Sequence, residues 1–420
     1  MFEKIEIHDF KNYVGEHSII LRQITVLVGP NGAGKSSIGQ TLLVFKQSAG
    51  RQNLVASGSC VELGKDEDIV NINGKPPRIG FTLTHSLPDS VNWEPFKAGT
   101  VSMSIMAGFG GQPKVSFLYT MEPFEFVSGV DVHGVTFVRP ATAKIGEFEL
   151  RFQIGPNVTI PLTIGSRDSR FPEAALNRFQ AVFGLAEAAL HDLRSISATR
   201  GFFNARFSLG DQMTDDFAQS SDTHSNGAAL VTTLTYGEPL MLQVREAIKY
   251  LTGVTFDTQL TPGRLTAPVS RRSKGATFKN VVMVNEGFGT NQLVHLVSQV
   301  LSTPAGGTVL IEEPEIHLHP LVQTKLALWL ARHAKATNKQ LLVSTHSEYF
   351  LAALLSLVRD EQLSTQDMVI HYCSLDADGN AHHQRKDFTQ GGILQGGFRE
   401  FFPDPSEVPN WREFFRGLQN

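Results

Sequence analysis

The spacing of apolar and polar positions changes several times along the chain. Residues 1–28 hold short runs, Met1-Phe2-Glu3-Lys4-Ile5-Glu6-Ile7 and Ile24-Thr25-Val26-Leu27-Val28, that predict two or three strands. Ser37 to Phe45 follows with a helical run. From about Arg78 to Ile164 the period is two: Arg78–Thr84, Thr100–Ile105, Val115–Tyr119, Val135–Val138 and Glu147–Phe152 alternate between turn residues, as antiparallel strands do. Glu173 to Ser195 places Ala175, Phe179, Val182, Ala186 and Leu190 near helical spacing after Pro172, and Pro239 to Leu251 repeats that pattern. After Gly306-Gly307 the chain becomes an apolar strand (Thr308–Ile311), an amphipathic helix (Leu321–Lys335), a second strand (Gln340–Ser344) and a helix (Ser347–Val358). Strands alternating with helices predict a mostly parallel sheet continuous with the N-terminal lobe. The reading is an α/β fold with an antiparallel β-rich lobe and an inserted helical segment. The boundaries fall at 1–64 and 265–420 for the α/β head, 65–170 for the β-rich lobe and 171–264 for the helical segment with its polar loop.

Composition narrows the class of partners. The 420 residues allow two or three domains, and the net charge of −4 gives no bulk attraction to nucleic acid or membrane. DNA contact then requires a local patch, and the best candidate is Arg271-Arg272-Ser273-Lys274. Cys60 and Cys373 are the only cysteines and form no C-x-x-C, so no zinc or redox motif is present. The start alternates like a strand rather than a leader, and no apolar run reaches membrane-span length, so the expected location is the cytoplasm, without a membrane partner.

Four stretches carry chemistry. Gly29-Pro30-Asn31-Gly32-Ala33-Gly34-Lys35-Ser36-Ser37 lies between a strand and a helix with the spacing G-x-x-x-x-G-K-S of a phosphate-binding loop. Its glycines let N–H groups curl around an anion, Lys35 places a charge between two phosphates, and Ser36 is set to ligate Mg²⁺. Val309-Leu310-Ile311-Glu312-Glu313-Pro314-Glu315 is a strand ending in acids: Glu312 suits the Mg²⁺ shell, and Glu313 suits polarising the attacking water. His346, in Ser344-Thr345-His346-Ser347, ends another strand and is placed for the γ-phosphate or the attacking water. Asn285 to Gln292 opens a helix with Gly287, Gly289, Thr290, Asn291 and Gln292, a start that suits an anion. The phosphate loop fills the cradle of its own subunit, so this start either serves a second subunit or is an ordinary glycine-rich turn. Phe10 and Tyr13 are open between stacking on adenine and packing. Asp211, Asp215, Asp216 and Asp222 read as a solvated loop rather than a metal cluster.

In this order the set resembles the ABC-type ATPase heads of the SMC, RecF and OLD families, and is most similar to the bacterial AAA-family ATPases grouped with OLD proteins. The matching stretches include Phe10-Lys11-Asn12-Tyr13, Ser197-Ala198-Thr199-Arg200, Gly287 to Gln292, Ile311-Glu312-Glu313-Pro314-Glu315-Ile316-His317-Leu318-His319-Pro320 and Ser344-Thr345-His346-Ser347-Glu348. The likeness covers most of 1–60 and 275–400 and is weak across 78–195. It implies a P-loop NTPase head of the ABC type that uses ATP and Mg²⁺. It also implies a head-to-head homodimer in which ATP on one phosphate loop meets Gly287–Gln292 of the other subunit. Glu313 would be the base and His346 the switch histidine, with Glu315, His317 and His319 on the turn between the two sites. His317 and His319 look like a metal pair, but structural and dimer-contact roles are preferred.

The signature is not the L-S-G-G-Q of transporter ATPases. No long charged heptads build a coiled-coil arm, and no Q-loop glutamine stands out beyond Gln47 and Gln52. The tail after His346 looks too short for the TOPRIM nuclease of OLD proteins, and Asp376-Ala377-Asp378-Gly379 reads as a hairpin turn. The expectation is an ATPase without its own nuclease that gates a separate nuclease or toxin effector in bacterial antiphage defence. The alternatives are a DNA-repair ATPase that clamps DNA directly and a scaffold that hydrolyses ATP very slowly.

Overall fold

The computed structural model describes residues 1–49, 54–71, 78–87, 96–108, 115–126, 134–139, 148–153, 159–164, 184–208, 223–261, 265–274 and 277–396. One sheet is antiparallel and eight-stranded. Its strands are β1 (Phe2–Phe10), β2 (Tyr13–Ile20), β4 (Arg78–Ser86), β5 (Phe96–Gly108), β6 (Val115–Phe126), β7 (Gly134–Arg139), β8 (Phe148–Gln153) and β9 (Thr159–Ile164). They lie in the order β2-β1-β4-β5-β6-β7-β8-β9. The β-rich stretch therefore continues the sheet that the N-terminal hairpin begins. The free edge of β1 pairs with β4 (Ile5 opposite Leu83, Ile7 opposite Phe81), and the later strands add on beyond it.

The second sheet carries the chemistry. It consists of β3 (Ile24–Val28), β10 (Arg194–Ile196), β15 (Thr308–Glu312), β16 (Gln340–Ser344), β17 (Met368–Leu375) and β18 (Ala381–Lys386), in the order β10-β15-β16-β3-β17-β18. All neighbours are parallel except the β17–β18 hairpin, whose turn is Asp376–Gly379 as predicted. Parallel strands buried on both faces need continuous apolar runs, and β3 and β16 are buried at every position. Alternate side chains enter two cores. Leu27, Leu310 and Leu342 join the core with β1, β4 and the phosphate-loop helix α1 (Lys35–Ser48). Val26, Val309, Ile311 and Val343 join the core under α4 (Thr223–Tyr236), α5 (Glu238–Thr252), α6 (Phe288–Ser302), α7 (Pro320–Thr337) and α8 (Glu348–Arg359). Two short helices, α2 (Asp66–Ile69) and α3 (184–191), complete the described α-helices, and a 3₁₀ turn at Met283–Asn285 precedes α6.

The segment 171–264 is not purely helical. Of the helix predicted over Glu173–Ser195, residues 184–191 are helical, and 173–183 lie outside the described residues. Arg194–Ile196 is instead strand β10, because Ile196 reaches the sheet core when it runs beside Ile311. Gly253 then stops α5 in the left-handed conformation (φ 75), and the β-branched and aromatic run that follows forms β12 (Thr255–Thr261). A third sheet joins β12 with β11 (Phe207–Ser208), β13 (Leu265–Lys274) and β14 (Thr277–Val282). Among the described residues no helix is long and apolar enough to cross a membrane.

Candidate nucleotide site

The phosphate loop leaves the C-terminal end of β3, and its glycines are required by contact as well as by conformation. A Cβ on Gly29 (φ 143) would lie 2.0 Å from the Cys373 carbonyl oxygen. A Cβ on Gly34 (φ 84) would lie 2.9 Å from both Ala381 and Tyr13. Gly32 (φ 77) faces open space, so its left-handed turn leaves the cradle clear. The helix α1 begins with no side-chain cap and no acid in its first turn, so its leading N–H groups are available to an anion. Lys35 is buried, and its ammonium donates to the carbonyls of Gly29 (2.9 Å) and Pro30 (2.7 Å). Burial lowers its pKa, and the nearby Cys373, Glu313 and Glu315 oppose that shift.

Across the sheet edge, Lys35, Ser36, Gln40, Ser195, Glu312 and Ser344 line one cleft. Ser36 and Glu312, far apart in sequence, therefore line the same cleft, and a hydroxyl and a carboxylate are hard oxygen donors of the kind Mg²⁺ takes. Ser195 and Lys11 were not singled out from sequence. Lys11 donates to Gln40 Oε1 (2.5 Å) and feels the Glu312 charge.

Glu313 turns sharply away from the strand in a left-handed conformation (φ 43). Its N–H donates to the Ser344 carbonyl (2.9 Å), and its own carbonyl accepts from Ile316 N (3.1 Å). Glu315 faces inward: Oε1 accepts from the His346 N–H (2.6 Å) and so fixes the His346 loop to the acidic turn. Burial raises the Glu315 pKa against that hydrogen bond. His346 is half-buried, and its pKa is lowered by burial and by Lys35, with Glu313 opposing. Its imidazole is neutral at neutral pH and lies within the fields of both groups.

The fourth stretch divides. Gly287 and Phe288 are exposed at the start of α6, with Phe288 66 % accessible, and Gly289 and Thr290 are half-buried. Asn291 and Gln292, expected to face a nucleotide, point inward instead. The Asn291 side chain accepts from Phe202 N (2.7 Å) and donates to the carbonyls of Phe202 (2.9 Å) and Met283 (3.0 Å). Gln292 Oε1 bonds His317 Nδ1 (3.1 Å). The rotation of α6 turns these two amides into the chain's own interior, where unpaired amides would be costly.

Other sequence candidates resolve in the same way. Phe10 and Tyr13 are core residues, and the Tyr13 hydroxyl donates to the Gly34 carbonyl (3.3 Å). Gln47 braces the 55–61 loop through Val55, Cys60 and Val61, while Gln52 lies outside the described residues. His319 Nδ1 caps α7, and no metal-binding cluster of His, Cys, Asp or Glu occurs among the described residues. Asp211, Asp215, Asp216 and Asp222 lie outside them. Arg271 is paired with Asp257 (2.7 Å). Sequence reading also passed over Arg200, quoted only inside a matching stretch; it is buried behind Glu312 and Glu313 and donates to both carbonyls.

A family model described as "AAA domain, putative AbiEii toxin, Type IV TA system" matches residues 24–98 and 265–352. No curated protein matches the chain. Among solved structures, an Smc head domain with an extended coiled coil, bound to the C-terminal domain of ScpA and derived from Pyrococcus furiosus, aligns with a TM-score of 0.50 at 13 % identity, over 91 % of this chain and 96 % of that one. The SMC head domain from Thermotoga maritima aligns with a TM-score of 0.45 at 11 % identity, over 92 % and 99 % of the two chains. At such identity the Pyrococcus structure speaks to the fold, which is that of an ABC-type ATPase head.

Proposed function

We propose that this chain, an SMC/RecF-like ABC-type ATPase, binds ATP with Mg²⁺, hydrolyses it in a head-to-head homodimer, and thereby gates a separate nuclease or toxin in bacterial antiphage defence. The observation that carries the reading is the convergence of Lys35, Ser36, Glu312, Glu313 and His346 at the C-terminal edge of one parallel sheet, the edge at which open α/β sheets bind ligands.

In this reading Ser36 and Glu312 hold the metal, which when bound supplies charge neutralisation to the phosphate oxygens. Lys35 leaves the Gly29 and Pro30 carbonyls for the phosphates. Glu313 accepts the proton of the attacking water, and the neutral His346 hydrogen-bonds beside it. The start of α6 presents Gly287, Phe288, Gly289 and Thr290 to the second subunit, with Asn291 and Gln292 bracing them from behind. The effector chemistry belongs to a partner and the setting is cytoplasmic. The toxin context in the name of the matched family accords with gating, and so does a partner protein bound to the Pyrococcus head.

The test is Glu313→Gln. It is expected to keep ATP binding, to lower hydrolysis by about 10²–10⁴-fold, and to trap a dimer. Light scattering with and without ATP·Mg²⁺ should show the mass double. Hydrolysis at the parental rate would remove Glu313 as base. A large mass unmoved by ATP would replace gating with a constitutive scaffold.

A further inference from the structure

Arg200 is among the largest fully buried side chains, 1 % accessible. Its guanidinium donates to three main-chain carbonyls: Ser197 (3.1 Å) and Glu312 (2.7 Å) through Nη1, and Glu313 (2.9 Å) through Nη2. Its Nε is buried without a partner. Burial lowers its pKa to about 10, with the carboxylates of Glu315, Glu313 and Glu312 opposing, so it stays charged at neutral pH. A buried charge held mainly by neutral carbonyls is a poor stabiliser, because a well-packed apolar side chain often serves stability as well or better. Stability alone does not account for an arginine here.

The place it grips does. Glu313 is a non-glycine residue in the left-handed region, a conformation that persists only when its surroundings over-determine it. The Arg200 fork spans the carbonyls on both sides of that turn, and a planar guanidinium fixes two acceptors in one geometry. The loop that carries Arg200 also touches α6. Gly201 (φ 142) would place a Cβ 3.1 Å from Asn291 Oδ1, and the next residue, Phe202, exchanges main-chain bonds with that amide. On the other side of the turn, Gln292 bonds His317, and a Cβ on Gly289 would lie 2.4 Å from the His317 carbonyl oxygen.

We infer that Arg200 is a positioning residue for ATP hydrolysis: its two-carbonyl grip sets the backbone of Glu313 and ties it, through Phe202 and Asn291, to the start of α6. A shift of α6 is thereby passed to Glu313 within one subunit. The inference rests on the reading of Glu313 as the base.

Steady-state ATPase kinetics on Arg200→Ala and Arg200→Lys test it, with Glu313→Gln in parallel. Arg200→Ala is expected to lower kcat about 100-fold, the scale of a misplaced catalytic group, with KM and ATP-dependent mass doubling unchanged. Guanidinium at a non-denaturing concentration is expected to restore much of the rate, whereas sodium chloride at equal ionic strength is not. If the alanine variant fails to fold, Arg200→Lys keeps the charge and most of the volume but not the fork, and its kcat is expected to fall likewise. Unchanged kcat in the folded variants overturns the inference. So does a joint loss of kcat and nucleotide affinity without a guanidinium response, which marks a purely structural role. Parental hydrolysis in Glu313→Gln would instead overturn the reading of Glu313, and it is read independently of both arginine variants.

Discussion

Gly29 shows how a single hydrogen atom decides the phosphate loop. The residue must turn with φ 143 directly over the Cys373 carbonyl, and a methyl group there would lie 2.0 Å from that oxygen. Neither partner has room to move, because Cys373 is buried in β17 beside β3. Gly29→Ala is expected to cost about 3 kcal/mol or more in urea unfolding and to abolish nucleotide binding. His295 makes a different point. It is buried with both ring nitrogens unpartnered, and burial, with Arg200 adding to it, lowers its pKa to about 3. The unfolded chain restores the ordinary value near 6.5, so between pH 6.5 and 3 the unfolded state binds the extra proton. Stability from this residue is fully present above pH 6.5 and falls as the pH drops through that window, by up to about 1.4 kcal/mol per pH unit. His295→Leu is expected to make the acid limb shallower, read as the change in urea midpoint between pH 7 and pH 5. Slopes equal to those of the parent would refute it. His85 and His371, each lowered to about 4, keep part of the slope in the variant.

Elements explain which of these features were legible in the sequence. The phosphate loop, the Glu312-Glu313 pair and His346 each sit where an apolar strand gives way to polar residues, so local pattern places them. Arg200 and the inward turn of Asn291 and Gln292 were not legible, because Glu312 lies 112 residues from Arg200 and Phe202 lies 89 residues from Asn291, and sequence alone gives no rotation for α6. Strand β10 was hidden for a related reason: three residues carry no period, and only pairing with β15 makes them a strand. The contact between α6 and the acidic turn also yields a test at this scale. Gly289→Ala would drive a methyl group to 2.4 Å from the His317 carbonyl oxygen and push α6 off the turn that carries Glu313. ATP binding at the phosphate loop should persist, measured with a fluorescent nucleotide, while hydrolysis falls roughly 10–100-fold. Loss of binding and hydrolysis together would show that the substitution disturbs more than this contact.

At the scale of the whole molecule, the antiparallel and parallel sheets must act as one body if the hairpin β1–β2 is to support the phosphate loop. The support is direct: Tyr13, at the start of β2, packs on Gly34, and Asn12 accepts from the Ala381 N–H (2.8 Å). Gln340, at the start of β16, is the joint between the sheets. Its Oε1 accepts from Phe2 N (3.0 Å) and Thr308 Oγ1 (3.2 Å), and its Nε2 donates to the carbonyls of Phe2 (2.6 Å) and Arg22 (3.1 Å). No apolar side chain reproduces that set, and each buried group left without a partner costs about 1–3 kcal/mol. Gln340→Leu keeps similar bulk, and is expected to lower stability by roughly 2–4 kcal/mol after partial relaxation. Its location tells more than its size. Amide hydrogen exchange should accelerate in β1 and β2 while α7 and α8, packed on the other face of the parallel sheet, stay protected. Nucleotide affinity should fall with it, because the hairpin no longer holds Tyr13 against the loop. Uniform acceleration in both cores would mean that the sheets are joined through their packed side chains and that Gln340 contributes only its share of stability.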